Sequence, residues 1–588
     1  MTKKTKTPPS WNLKDLYSAK DCAEIKRDLT SITETTKKFA KSYKGKILDI
    51  SGDKLAAVLK EYEDMQDVMG RIMSYAYLLY AGDLSKAQNT AFYQDMSEKI
   101  NELSTHILFL PLEINKISDQ DLETKFAASK KLQHYRPWLR DVRVMRKYQL
   151  ADEVEEILHE KSITSRHSWS RFFDETLASL EFKVGKKKLG SSEAFHLLSS
   201  PKAQARKTAA KAIGKTLGKN IKTFAFITNT LAKDKEIEDK KRGFPQPISS
   251  RNISNLIEDE VTEALISTVK ANYSNLSHRY YKIKAKWLGK KKLNYWDRNA
   301  PLPGGKTADI PWHEAVEIVL QSYTDFSPKM GEIGKRFFDE EWIDAAVRKG
   351  KESGASSHPT VPSAHPYILM NYQGNTRDVM TLAHELGHGV HQVLSSKQGA
   401  LMADTPLTLA ETASVFGEQL TFRGLLSREK KEKQRKLMIA GKVEDMLNTV
   451  VRQVAFCEFE TRVHDARRNG EVATDTINKI WIDVQKESLG LGIKFEDEYK
   501  YYWSYIPHFI HSPFYVYAYA FGECLVNSLY MVYEKQPKGF AEKYITMLEA
   551  GGTLRHKELL APFGLDSSNP KFWQGGLDVI SKFIDELE

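Results

Sequence analysis

One pentapeptide, His384-Glu385-Leu386-Gly387-His388, constrains its stretch of chain more than any other. Residues i and i+4 share one face of an α-helix, so two imidazoles at this spacing reach a single metal ion only if the segment is helical. The intervening Glu385 then sits where it can take a proton from a water on that ion. The surroundings predict the same helix. Asn375 is a good N-cap and Asp378 an acidic first-turn residue. Val379, Leu382, Ala383, Leu386, Val390, Val393 and Leu394 recur at helical period, and the two histidines border that apolar stripe. Gly387 costs the helix about 1 kcal/mol relative to alanine. Its missing side chain leaves room for another segment or for a substrate backbone, so Gly387 is a candidate substrate contact.

A catalytic zinc site needs a third protein ligand and an open fourth position. The continuation His-x-x-Gly-x-x-His is absent, since His391 and Leu394 occupy those places. The next candidate follows Thr405-Pro406, which reads as a helix start. Glu411 lies beyond it among apolar and small residues, an unusual setting for a solvated carboxylate. Glu418, two turns on and on the same face, could hydrogen-bond a ligating histidine. The competing reading makes Thr408-x-x-Glu411 a capping box.

Helical periodicity runs through most of the 588 residues, and no internal repeat stands out. A mainly α chain of few large units is expected. Phe182 to Leu189 reads as a small hairpin, and Tyr367 to Tyr372 as a strand just before the metal-type helix. Such a strand can pair with an extended peptide, which makes Tyr367 a second candidate substrate contact. Gly304-Gly305 and the run from Gly354 to Pro366 read as loops. The net charge is +10, but its clusters, such as Lys186–Lys188 and Lys240–Arg242, are scattered and attach to no nucleic-acid module. Three dispersed cysteines give no disulfide framework and fit a reducing compartment. Residues 1–10 lack an apolar signal segment, and no apolar run reaches membrane-spanning length. A cytoplasmic protein without nucleic-acid or membrane partners is expected.

His-Glu-Leu-Gly-His followed by Ala410-Glu411-Thr412-Ala413-Ser414 resembles the M3 family of zinc metallopeptidases, and within it the oligoendopeptidase F branch. Trp11-Asn12-Leu13-Lys14-Asp15-Leu16-Tyr17, Tyr295-Trp296-Asp297-Arg298-Asn299-Ala300-Pro301 and His365-Pro366-Tyr367 to Tyr372 resemble further stretches of that branch. The resemblance implies one zinc ion on His384, His388 and Glu411, with Glu385 as general base. It implies a two-lobed, mainly helical shell around a deep active-site channel, with a small β-sheet beside the zinc helix. It also divides the chain into an N-terminal oligopeptidase F-type domain, 1–195, and a catalytic domain, 196–588. Its substrates would be short unstructured peptides cut at internal bonds. A helical metallocarboxypeptidase and a catalytically silent peptide-binding protein are the alternatives.

The family further supplies a histidine and tyrosines from a C-terminal aromatic segment to hold the substrate carbonyl. Here that segment is Tyr505 to Tyr519 and lacks the glycine-rich form of the thimet oligopeptidase branch. His508 and Tyr515 are the first choice, Tyr519 the next. Read by itself, the alternation of Tyr515, Tyr517 and Tyr519 suggests a strand, whereas Ser512-Pro513 suggests a helix start. The helix is preferred, with Tyr515 and Tyr519 on one face and Tyr517 pointing away. Phenol hydroxyls in a cleft can donate to an oxyanion, while the same rings can equally fill a core. His511 is taken as an ordinary histidine, because three ligands and a water already fill a tetrahedral site.

Overall fold

The computed structural model describes residues 7–162, 164–304, 310–348, 350–352 and 354–588. Residues 1–6 of the N-terminal stretch and Gly305 of the Gly304-Gly305 pair lie outside them. Helices dominate, as the periodicity predicts. Those used below are, in chain order, α1 (Gly52–Gly82), α2 (Ala203–Arg242), α3 (Ser277–Trp287), α4 (Trp312–Phe326), α5 (Thr376–Ser395), α6 (Leu407–Arg428), α7 (Glu432–Thr449), α8 (Val451–Arg468), α9 (Tyr517–Lys535) and α10 (Phe540–Glu549). The strands are β1 (Phe182–Val184), β2 (Lys187–Leu189), β3 (Leu293–Asn294), β4 (Ile343–Asp344), β5 (Ser356–His358), β6 (Tyr367–Leu369) and β7 (Ile493–Lys494). No helix among the described residues is long and apolar enough to cross a membrane.

The chain packs into two compact units, each assembled from three stretches. The first comprises Met1–Arg146, Thr307–Arg428 and Val532–Leu565, the second Lys147–Lys306, Glu429–Met531 and Asp566–Glu588. The boundary expected at residues 195 and 196 therefore falls inside the second unit.

In the first unit, α5 starts where the sequence places its cap. Asn375 Oδ1 accepts from the Asp378 amide at 3.0 Å, and Asp378 Oδ2 accepts from the Asn375 amide at 3.2 Å. This reciprocal pair satisfies two of the amides that a helix start leaves open. Val379, Leu382, Ala383, Leu386, Val390 and Leu394 are all buried, which fixes the rotation of the helix. Beside it lies a three-stranded sheet of order β4-β6-β5, parallel between β4 and β6 and antiparallel between β6 and β5. The strand expected from Tyr367 is thus the central one. Its bonds on the β4 side run on to Tyr372, whose amide donates to the Ala345 carbonyl at 3.0 Å. The run from Gly354 to Pro366 is not all loop. Ser356–His358 is recruited into the sheet by the open side of β6, a tertiary cause that leaves no alternation in the sequence.

In the second unit, α2 runs for 40 residues and ends at Gly243, whose φ of 79° supplies the left-handed turn that closes a helix. The hairpin β1-β2 pairs Phe182 with Leu189, as expected. The aromatic segment departs from expectation. The helix starts at Tyr517, not at Ser512-Pro513, because Phe514 takes a left-handed φ of 59° and turns the chain first. The Phe514 amide, lost to any helix ladder, donates to Glu460 Oε1 at 2.9 Å. Tyr517 is fully buried, and its hydroxyl accepts from Asn255 Nδ2 at 2.8 Å.

Candidate active site

The site begins with a close crossing of α5 and α6. A Cβ on Gly387 would lie 2.5 Å from the Ala413 carbonyl oxygen and 2.6 Å from the Ser414 Cα. Only glycine allows that approach, so the room at Gly387 is filled by α6. The expectation that a substrate backbone uses it is corrected accordingly. On the far side, Tyr544 of α10 donates to the Thr412 carbonyl at 2.8 Å, and its ring lies 4.6 Å from that of Phe416. Tyr323 of α4 donates to the Ala383 carbonyl at 2.7 Å. Both helices that carry the motif residues are therefore braced by hydrogen bonds to their backbones.

The crossing converges three donor atoms. His384 Nε2 and His388 Nε2 are 3.2 Å apart, and Glu411 Oε2 lies 3.4 Å from the first and 3.5 Å from the second. A tetrahedral ion with bonds of about 2.0–2.1 Å spaces its ligands by roughly 3.3–3.4 Å. The His2Glu set fits such an ion in spacing and in chemistry. His384 Nδ1 donates to Glu418 Oε1 at 2.6 Å, which turns the Nε2 lone pair toward the other ligands. The capping-box reading of Glu411 fails. Thr408 lies inside α6 with a hydroxyl that has no partner among the described residues, and Glu411 Oε2 accepts instead from Ser414 Oγ at 2.6 Å.

Glu385 is buried on the same helix, and burial pushes its carboxyl up to about 7. A carboxylate poised near neutrality suits a base that must both take and return a proton. The backbone of Ser357 in β5 acts the other way and favours the charged carboxylate. Burial alone disfavours the charged form of His384, but the Glu418 bond and charge lift the ring to about 9. A cavity of about 570 Å³ opens beside His388 and His391, lined also by Asp404, Thr405 and His365.

Tyr367 does not serve as expected. It is fully buried, its hydroxyl donates to the Asn12 carbonyl at 2.8 Å, and β4 and β5 occupy both edges of its strand. A peptide has no edge to pair with there. His508, Tyr515 and Tyr519 form a cluster of their own in the second unit. His508 Nε2 is 3.4 Å from the Tyr519 hydroxyl, and the rings of Tyr515 and Tyr519 meet edge-on at 5.2 Å. Burial, then the charge of Arg452, holds the His508 imidazole below its usual range. His511 pairs with Asp174 at 2.8 Å. Two contributors escaped the sequence reading. Ser414, three residues after Glu411, was within reach of an i,i+3 argument. Ser357 had no local signal.

The family model for Peptidase family M3 matches residues 196–579. The chain belongs to peptidase family M3. The model for Oligopeptidase F matches residues 113–182, which places the chain in the oligoendopeptidase F branch of that family. Oligopeptidase PepF of Bacillus subtilis is 27% identical over 595 residues, covering 99% of this chain and 87% of that protein. An oligoendopeptidase F homolog of Borreliella burgdorferi is also 27% identical and covers 98% of this chain and 97% of its own length. Among solved structures, one from Chlamydophila abortus superposes with a TM-score of 0.86 at 23% identity, over 98% of this chain and 97% of that one. Oligoendopeptidase-F from Enterococcus faecium gives 0.72 at 22%, over 96% and 98%. This M3 peptidase therefore shares the helical fold of these structures along nearly its whole length.

Proposed function

We propose that this M3 peptidase is a zinc-dependent oligoendopeptidase that hydrolyses internal bonds of short, unstructured peptides in the cytoplasm. What carries the reading is the convergence of His384, His388 and Glu411 at tetrahedral spacing beside a buried, near-neutral Glu385. The names of the relatives from Bacillus subtilis and Borreliella burgdorferi support oligopeptides as the substrate class. Zinc held by those three residues would supply a Lewis acid that acidifies a water and polarises the scissile carbonyl. Glu385 takes the proton of the attacking water and returns it to the leaving amine. Glu418 holds the His384 ring in its ligating tautomer. His508 and Tyr515 are proposed as donors to the tetrahedral oxyanion, with Tyr519 bonded behind His508.

The test is mass spectrometry of products from a pool of short peptides plus one folded protein, with and without a zinc chelator. Internal cuts confined to the short peptides, and abolished by chelator, are expected. The Glu385→Gln protein should retain zinc and lose activity by at least about 100-fold. Full activity of that variant would refute the base assignment. Stepwise loss of C-terminal residues would identify a carboxypeptidase, and bound zinc without cleavage a peptide-binding protein.

A further inference from the structure

The cavity beside His388 is built from the first unit alone. Its volume of about 570 Å³ lies within the roughly 300–1,000 Å³ typical of small-ligand sites. One wall is the segment between β5 and β6, and it is firmly fastened. Thr360 takes a left-handed φ of 58°, which a β-branched residue rarely adopts. Its hydroxyl donates to the His365 carbonyl at 2.8 Å and closes the turn. Val361 packs so tightly on α1 that a Cβ on Gly70 would lie 2.7 Å from its Cγ1. Ser363 donates to Asp67 of the same helix from its amide, at 3.2 Å, and from its hydroxyl. Backbone strain held in this way concentrates at ligand clamps.

A second wall is the loop that leads from α5 into α6. The Gly552 amide donates to the Met402 carbonyl at 2.8 Å, and a Cβ on Gly552 would lie 2.6 Å from the Asp404 carbonyl oxygen. Thr405 Oγ1 lies 3.2 Å from His391 Nε2. These contacts fix the backbone of Asp404. Among the described residues its carboxylate nevertheless has no hydrogen bond or ion pair. Trp342 lines the same cavity and is buried. His365 stacks on its ring at 3.8 Å, and the Arg336 guanidinium lies 4.8 Å from the ring centre. Its indole N–H has no acceptor among the described residues. The basic side chains of this wall are already engaged, Arg336 with Glu340 at 2.9 Å and His365 with Asp15 at 3.0 Å. The cavity therefore offers an uncommitted carboxylate and an uncommitted donor, and it borders the metal-type ligand His388. A buried donor without a partner is costly, and a peptide carries groups that match both, an ammonium and backbone carbonyls.

We propose that this cavity is a substrate subsite that receives an ammonium group of the peptide, with Asp404 as counter-ion and the Trp342 N–H bonded to a peptide carbonyl. The proposal rests on the peptidase reading above. The ammonium belongs either to the N-terminus or to a lysine side chain, and the chemistry asked of the cavity is the same. A fixed counter-ion in a cavity that borders His388 also sets which bond of the peptide lies at the ligands.

The experiment uses one otherwise uncharged short peptide, with its N-terminus free or acetylated and with a lysine or norleucine placed at each position in turn. Binding to the Glu385→Gln protein is measured by calorimetry, and turnover and product masses with the wild-type enzyme. The ammonium that the cavity holds should improve binding and kcat/KM about 5- to 30-fold, mainly through KM. The cut should stay a constant number of residues from it. Loss on acetylation would name the N-terminus as the source, and loss on exchange of lysine for norleucine the side chain. Asp404→Asn should keep zinc, bind all forms alike and lose the fixed register of the cut. Trp342→Phe should weaken every form by a common factor, and unchanged affinity would overturn the Trp342 bond. Equal binding of all forms, or discrimination that survives Asp404→Asn, would overturn the subsite while internal cleavage left the peptidase intact. If the wild type cleaves nothing, calorimetry still decides the subsite, and the peptidase reading alone falls.

Discussion

Three carboxylates at the site do different work because their neighbours differ. Glu385 is buried, Glu411 shares its Oε2 with Ser414 and the two imidazoles, and Glu418 accepts from a ring. Glu411→Ala should abolish metal retention, read by elemental analysis after dialysis. Glu418→Gln should leave the ligand count intact and weaken zinc affinity by about 10- to 100-fold, since the ring loses its charged partner. Competition against a coloured chelator would read this, and unchanged affinity would mean that Glu418 does not orient His384. At this scale the sequence was legible wherever chemistry depends on local spacing: His384, Glu385 and His388 lie on one helix, and Glu411 has an out-of-place charge. Ser357 was illegible because its role arises from a strand pairing that nothing within Gly354 to Pro366 encodes.

Helices α5 and α6 cross in backbone contact, so the crossing depends on Gly387. Alanine there gains about 1 kcal/mol of helix propensity but places its Cβ against backbone, which cannot rotate aside. The clash should win, with a net loss of about 1–3 kcal/mol and a displaced Glu411. Urea denaturation would show the first effect and a zinc titration the second. A stabilised Gly387→Ala protein with full zinc affinity would contradict the packing described here. The extent of α5 was legible because cap and apolar stripe agree. The start of α9 was not, because Ser512-Pro513 offers a good helix opening that the buried carboxyl of Glu460 overrides by capturing the next amide.

For the whole molecule, stability should respond to pH through side chains that each unit keeps in one protonation state. Burial pushes His464 down to about 3 and His358, whose ring meets Ser74 of α1 at 2.9 Å, down to about 4. Both histidines stay neutral in the fold while the unfolded chain takes up protons below about 6.5. Their stabilisation is therefore present above that pH and lost on acidification, by up to about 1.4 kcal/mol per unit for each. Burial pushes Glu460 up to about 8, so its contribution runs the other way, present in acid and lost as pH rises through 8. Relative to wild type, His464→Gln should gain stability between pH 6.5 and 5, and Glu460→Gln between pH 5 and 8. Denaturant midpoints across that range would show it, and parallel profiles would contradict both assignments. Helical content was legible from periodicity, but the two units were not. Contact between stretches hundreds of residues apart defines them, and no composition shift marks their borders.

Each unit is stitched from three separate stretches, and this bears on how the protein comes off the ribosome. The motif helices are complete once residue 428 has emerged, yet Tyr544, which braces the Thr412 carbonyl, belongs to the last stretch of the first unit. At about 5–20 residues per second, roughly 6–25 s of synthesis separate α6 from its support. A nascent chain should therefore carry its histidines past the exit tunnel without a formed site, and a fragment ending at residue 531 should fail to retain zinc. On the proposed function, metal capture would wait until Tyr544 is made, well after both motif helices have emerged.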